Sequence, residues 1–233
     1  MKEKAVGIIG GMGPEATVDL MARIIRATPA LDDRDHIRVV VDNNPKVPSR
    51  IQALIQGTGE SAAPCLIEMA RKLAAWGVDF LAMPCNTAHY YHQAIQDAVD
   101  IPLLNMIDLA VEAVQTDHPG IQRLGLLAST AVLNLGLYKK RLAQQGVEVL
   151  HPVPSLQERL MQAIRQIKTS HYGHETGDAL QAAAIDLTER GAGILLVACT
   201  ELSIIASSIR TSAPVYDSAQ ILAEAIVKTA KAE

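Results

Sequence analysis

Two cysteines end similar apolar runs. Phe80-Leu81-Ala82-Met83-Pro84-Cys85 leads into Asn86-Thr87-Ala88-His89, and Ile194-Leu195-Leu196-Val197-Ala198-Cys199 leads into Thr200-Glu201-Leu202, with the sulfurs 114 positions apart. An uncharged run that stops at a reactive side chain is how a buried parallel strand delivers that side chain to the edge of its sheet. A free thiol, with a reference pKa of ~8.5, is poorly ionised at neutral pH. A helix N-terminus lowers that value, and both cysteines precede an expected helix start, so activated thiols are expected. Thr87 and Thr200 stand where a hydroxyl caps a helix or meets a ligand. With a small chiral acid between the sulfurs, one thiolate can remove the α-proton while the opposite thiol delivers one to the other face. Like residues in like settings supply the matched acid and base that this inversion needs.

Other readings of the thiols stay open on residues alone. Cysteines at strand ends are commonly inert core. No close Cys/His pair has the spacing of a structural zinc site. Nucleophilic hydrolysis wants a histidine base; His89 is too near Cys85 in sequence, and Glu201 stands where a histidine would follow Cys199-Thr200. The third cysteine, Cys65, lies beside Pro64 and reads as a small packing residue. Three is an odd count with no disulfide framework, which fits a reducing, cytoplasmic setting.

The elements that must position the thiols read as alternating strands and helices. A strand at 5–9 empties into Gly10-Gly11-Met12-Gly13-Pro14, with a helix over 15–27. Glycines there let backbone N–H groups approach a carboxylate or simply make a tight turn; the pattern is not a full dinucleotide fingerprint. A second strand at 37–41 ends in the loop Asp42-Asn43-Asn44-Pro45-Lys46-Val47-Pro48-Ser49-Arg50, too rich in turn residues for a helix. Arg50 is therefore expected on a loop at a strand's carboxyl end, as a ligand-binding or merely solvated cation. Helices are expected at 60–76, 88–99 and 107–114, with a short fourth strand at 101–104. The pattern then restarts with strands at 123–127, 146–150, 194–198 and 213–216, and helices at about 135–145, 156–167, 175–190 and from Ser218. Gly7 and Gly125 are 118 apart and Pro102 and Pro214 are 112 apart, close to the cysteine spacing. The chain therefore reads as α/β with an internal duplication: two pseudo-symmetric parallel-sheet domains with flanking helices. The expected first domain is 1–104, with the C-terminal helix 218–233 packing back on it, and the second is 105–217. Two such halves facing each other would set the cysteines across one cleft.

Composition narrows the partners. A net charge of −4 with no basic cluster excludes a nucleic-acid footprint, and 3% aromatic residues leaves no stacking platform for bases. No apolar run nears the roughly 20 residues that span a membrane, and Met1-Lys2-Glu3-Lys4 runs straight into a strand, so neither a membrane span nor a signal peptide is expected.

Four motifs spread over nearly the whole chain carry a resemblance. They are Gly7-Ile8-Ile9-Gly10-Gly11-Met12-Gly13-Pro14, Asn43-Asn44-Pro45 with Pro48-Ser49-Arg50, Met83-Pro84-Cys85-Asn86-Thr87-Ala88-His89, and Cys199-Thr200-Glu201. In these the chain resembles the cofactor-independent aspartate racemases of the aspartate/glutamate racemase superfamily. The resemblance implies a homodimer, no pyridoxal phosphate or metal, and Cys85 and Cys199 as the catalytic pair that interconverts L- and D-aspartate. It implies Arg50 and Lys168 as carboxylate-binding cations, and Asn86, Thr87 and Thr200 beside the α-amino and α-carboxylate groups. Glutamate racemases tend to carry Asp-Ser where this chain has Gly11-Met12, and histidine where it has Glu201, so Met12 and Glu201 count among the substrate-binding positions that favour aspartate over glutamate. One departure stands out: Val132 holds a place where the family often carries threonine, and Ser129 and Thr130 are the hydroxyls at hand to replace it. From position alone, Lys168 also reads as a helix C-terminal lysine that complements the dipole. Two further classes remain: a related superfamily enzyme acting on another small carboxylic acid, and a non-catalytic two-lobed binding protein.

Overall fold

The computed structural model describes residues 3–232. The chain forms two parallel-sheet α/β units, one comprising the stretch up to Met106 with the stretch from Gln220 onward, the other Ile107–Ala219. In the first unit β1 (Val6–Gly10) lies between β2 (Val39–Asn43) and β3 (Phe80–Ala82), parallel to both. The expected strand at 101–104 is reduced to one parallel bridge, Leu81 to Leu103: the Leu81 N–H bonds the Pro102 carbonyl at 2.8 Å and its carbonyl accepts from the Leu104 N–H at 2.9 Å. In the second unit β4 (Arg123–Ala128) lies between β5 (Glu148–Leu150) and β6 (Ile194–Ala198), with β7 (Val215–Asp217) beyond β6, all parallel. Strand order is the same in each unit.

The duplication extends to side chains. Gly7 pairs with Leu81, and Gly125 with Leu195, each leucine four residues ahead of a cysteine. A Cβ on Gly7 would meet Leu81 at 2.8 Å, Val78 at 3.0 Å and Leu73 at 3.2 Å; one on Gly125 would meet Leu195 at 2.7 Å, Leu187 at 3.0 Å and Ala192 at 3.1 Å. Each of those three pairs is offset by 114 positions, like the cysteines. Leu73 lies on α2 (Ala63–Ala75) and Leu187 on α8 (His174–Glu189), so one glycine in each sheet admits both the cysteine strand and the helix ahead of it.

The remaining helices bury one face each. α1 (Pro14–Ala27), with proline in its first turn, buries Ala16, Leu20 and Ile24; α7 (Pro154–Lys168) buries Leu160, Ala163, Ile164 and Ile167. The unit boundaries in the chain fall at the first residues of α4 (Met106–Asp117) and α10 (Ser218–Lys231). α10 is tied to the first unit by the Lys4 N–H on the Ala230 carbonyl at 3.1 Å and by Lys231 on the Asp35 carbonyl at 2.9 Å. No helix among the described residues is long and apolar enough to cross a membrane.

Three local expectations are corrected. The loop after β2 ends earlier than its composition indicates: Arg50 opens a helical turn that runs into a π-helical stretch at Gln52–Gln56, because Pro48 and Ser49 start a helix as readily as they end a loop. The helix expected over 88–99 is a 3₁₀ stretch, Thr87–Tyr91, followed by α3 (His92–Gln96). The helix expected over 135–145 begins at Thr130 and is broken by Gly136 at φ 63°, giving α5 (Thr130–Leu135) and α6 (Lys139–Gln144).

Gly11 is the tightest point of the first unit. At φ +92°, a Cβ there would lie 2.2 Å from the Asn44 backbone. Gly11→Ala is expected to destabilise the protein by at least about 2 kcal/mol, since both the left-handed backbone and the overlap oppose it. Urea unfolding of variant and wild type measures this; a smaller loss would show that the Asn44 loop gives way freely.

Candidate active site at two strand ends

Past β3 the chain runs through Met83 and Pro84 to Cys85, and past β6 directly to Cys199, which caps α9 (Thr200–Ile204). Both cysteines join the apolar core of their own unit and each is 6% exposed. The fourth residue after each cysteine returns to it. His89 Nδ1 lies 2.9 Å from the Cys85 carbonyl, and the Ser203 hydroxyl 3.3 Å from the Cys199 carbonyl. Each of these residues also reaches the start of the helix that follows the fourth strand position. The Met106 N–H bonds His89 Nε2 at 3.0 Å, and the Ser203 hydroxyl donates to Asp217 at 2.6 Å. A backbone N–H can only donate, so His89 Nε2 is the acceptor and Nδ1 carries the proton that goes to the Cys85 carbonyl. His89 is thus a neutral clamp rather than a base. Its spacing of four from Cys85, one helical turn, is the sequence signal for this clamp.

Around Cys85, Asn86 is buried at the head of the 3₁₀ stretch and Thr87 follows, half-buried. Met12 is buried after β1, and its carbonyl lies 3.5 Å from Arg50 Nη2. Arg50 Nη1 donates to the carbonyls of Pro48 at 3.1 Å and Val47 at 3.4 Å. Its Nε is buried with no hydrogen-bond partner among the described residues. Backbone carbonyls hold this guanidinium in place without neutralising it, which leaves a fork-shaped cation on the same unit as Cys85. Cys65 accepts from Asn44 Nδ2 at 3.6 Å; burial, then the Glu68 and Asp42 carboxylates, pushes its thiol up.

Around Cys199 the surroundings are charged. Its thiol donates to Glu201 Oε2 at 3.1 Å, and Lys168 Nζ, at the end of α7, lies 3.3 Å from Glu201 Oε1. Thr200 is buried beside it. Burial pushes the Cys199 thiol well above its ordinary value; the Glu201 charge and the hydrogen bond to Glu201 push it further, and Lys168 opposes them only in part. The expectation of an activated thiol at a helix start is therefore opposed here: α9 is only five residues long, and burial first, then the Glu201 carboxylate, works against its N-terminus. Ser129 and Thr130 sit after β4, both already engaged. The Ser129 hydroxyl caps α5 by accepting from the Val132 N–H at 3.4 Å, and the Thr130 hydroxyl accepts from Gln157 at 3.3 Å. Gln157 also bonds the Ala128 carbonyl at 3.0 Å, bracing the end of β4; nothing in its surroundings on α7 distinguishes it in sequence. Of the expected set, Cys85, Met12, Arg50, Asn86 and Thr87 belong to the first unit, and Cys199, Ser129, Thr130, Lys168, Thr200 and Glu201 to the second. No group of three or more His, Cys, Asp or Glu residues suited to a metal ion occurs among the described residues.

Comparison with known proteins gives the context for this geometry. Residues 9–226 match the family model described as Asp/Glu/hydantoin racemase. The chain is similar to the broad specificity amino-acid racemase RacX of Bacillus subtilis, at 29% identity over 96% of this chain and 97% of that protein. Among solved structures it is similar to the Picrophilus torridus aspartate racemase, with 31% identity, a TM-score of 0.85 and coverage of 97% and 94% of the two chains. A putative Asp/Glu racemase from Yersinia pestis, at 24% identity and a TM-score of 0.79 over 97% and 99%, agrees in fold.

The clamp on Cys85 is testable by stability. His89→Ala leaves a buried carbonyl and a buried N–H without their shared partner, and a loss of about 1–3 kcal/mol is expected. Chemical denaturation measures it, and a loss well below that range would mean the two groups find other partners.

Proposed function

We propose, for a chain that belongs to the Asp/Glu/hydantoin racemase family, that it interconverts the enantiomers of aspartate by proton transfer between two thiols, without pyridoxal phosphate. The observation that carries this reading is the repeated cassette: a glycine, a leucine and a cysteine in the same register in both units, each cysteine held by a residue four places on. An inert core would not need its two cysteines presented by the same device twice. In the proposed reaction one thiolate takes the α-proton, the electron pair stays on the α-carbon next to the carboxylate, and the other thiol returns a proton to the opposite face. Running the same steps with the roles exchanged gives the reverse reaction. The chain offers like groups for both roles, so neither direction needs a different catalyst.

Arg50 is proposed to hold the side-chain carboxylate. A guanidinium whose hydrogen-bond partners among the described residues are carbonyls retains its charge for an anion, and its planar fork matches a carboxylate in two hydrogen bonds. Asn86, Thr87 and Thr200 are proposed to meet the α-amino and α-carboxylate groups. A wider substrate range is the second reading, favoured by Val132: it is buried in the core where the family often carries a hydroxyl, and both nearby hydroxyls are engaged at the start of α5.

Purified protein screened without added cofactor against the L- and D-forms of Asp, Glu, Asn and Ala is expected to racemise aspartate fastest. Cys85→Ala and Cys199→Ala should each abolish racemisation, while either variant can still exchange the α-hydrogen with deuterated water from its remaining face. Near-normal racemisation by one of them would sink the two-base reading.

Arg50 gives a separate test. A charged hydrogen bond is worth roughly 1.5–3 kcal/mol, so Arg50→Lys, which keeps the charge and loses the fork, should lower kcat/KM for aspartate by at least about tenfold, or ~1.4 kcal/mol. Arg50→Ala should lower it further and spare activity on alanine, which has no second carboxylate. Equal losses on both substrates would assign Arg50 to the α-carboxylate or to the shape of its turn.

A further inference from the structure

The two cysteine loops match in backbone and differ in charge. Cys85 is followed by Asn86 and Thr87, both uncharged, whereas Cys199 is followed two places on by an acid. Glu201 is 6% exposed, a rare position for a carboxylate unless it is engaged. Its two oxygens are directed differently: Oε2 accepts from the Cys199 thiol at 3.1 Å, and Oε1, buried with no hydrogen-bond partner among the described residues, lies 3.3 Å from Lys168 Nζ as an ion pair. The other neighbours of Cys199 in its cluster are apolar, Leu127, Ile164, Ile167 and Leu202 among them. Among the described residues the charged groups that face this thiol are Glu201 from α9 and Lys168 from α7.

Resting on the two-thiol reading above, we propose that Glu201 is a positioning residue rather than a substrate ligand: it holds Cys199 as the protonated, proton-donating thiol, leaving Cys85 as the base, while Lys168 holds Glu201 in place. In that state the Cys85 thiolate forms an S–H bond to the α-proton as the α C–H bond breaks, and the electron pair remains on the α-carbon. The Cys199 S–H bond then breaks and its proton goes to the opposite face. The product state holds Cys85 as the thiol and sets a Cys199 thiolate against the Glu201 carboxylate, two like charges in an apolar pocket; once product leaves, Cys85 gives its proton to water and water returns one to Cys199, which restores the resting state.

The test is the alkylation of Cys199 by iodoacetamide, a neutral reagent that reads the thiolate, followed across pH by mass spectrometry of the Cys199 peptide. Glu201→Gln keeps the size and an acceptor oxygen but drops the charge. Its alkylation midpoint is expected to fall by at least about one pH unit below the wild-type midpoint, with no rise in the high-pH plateau. Glu201→Asp against Glu201→Asn repeats the comparison with a shorter side chain, should the first variant not fold, and the Asn member should have the lower midpoint. An unmoved midpoint overturns the proposal, and so does a rate raised at every pH about an unmoved midpoint, which is what a loosened site would give. In the racemase the alkaline limb of kcat/KM should move to lower pH with Glu201→Gln. An unmoved alkylation midpoint in an active racemase strikes only the role of Glu201. A moved midpoint in a protein that racemises nothing strikes the two-thiol reading, and the proton-donor role with it.

Discussion

The approach of the cysteine strand to a glycine on its neighbour governs the construction of each unit. Strands in a parallel sheet covered by helices leave little room between the layers. At Gly7 and Gly125 the missing side chain is what lets Leu81 and Leu195 lie against the central strand, with Leu73 and Leu187 of the covering helices close behind. From that contact the rest follows in order. The leucine fixes the register of the strand, the strand end places the cysteine four residues later, and the helical turn beyond it brings the next fourth residue back to the cysteine carbonyl. A sulfur placed in this way is set by packing at both ends of a short segment, which is the rigidity that proton transfer between fixed groups requires.

A repeated backbone does not make a repeated electrostatic setting. The thiol of Cys199 is shaped by burial, by Glu201 and by Lys168; the Cys85 loop carries no acid at the matching place. The proposed proton transfer needs the two thiols in opposite protonation states, and the charge that distinguishes the two loops lies beside Cys199. Symmetry of fold repeats the strand end, while Glu201 and Lys168 give one cysteine charged surroundings that the other loop does not repeat in sequence.

Arg50 illustrates how a cation is kept available. A surface arginine would find an acid or water. Here carbonyls of Met12, Val47 and Pro48 satisfy the N–H groups they reach while leaving the charge uncompensated, and Nε stays buried without a partner among the described residues. The turn that carries it is braced from the other side by Gly11 against the Asn44 backbone. The loop after β1 and the loop after β2 therefore hold one another, and Arg50 is the charged product of that arrangement.

Much of this was legible in the chain itself. Apolar runs ending in Cys85 and Cys199, and the recurrence of glycine and proline at nearly the cysteine spacing, determined two parallel α/β units and their likeness, because strand period and burial are local properties of composition. The glycines after β1 and the arginine after β2 could be picked out for the same reason. Tertiary structure decided the rest. Whether Arg50 sits in a loop or opens a helix depends on what its guanidinium reaches, thirty-eight residues away at Met12. Whether His89 is a base or a clamp depends on the Met106 N–H, seventeen residues on. The state of the Cys199 thiol depends on a carboxylate and a lysine brought together from two helices, and burial sets the strength of that contact. Such effects fall off within a few ångströms and take no account of sequence distance, so only the folded chain sets them.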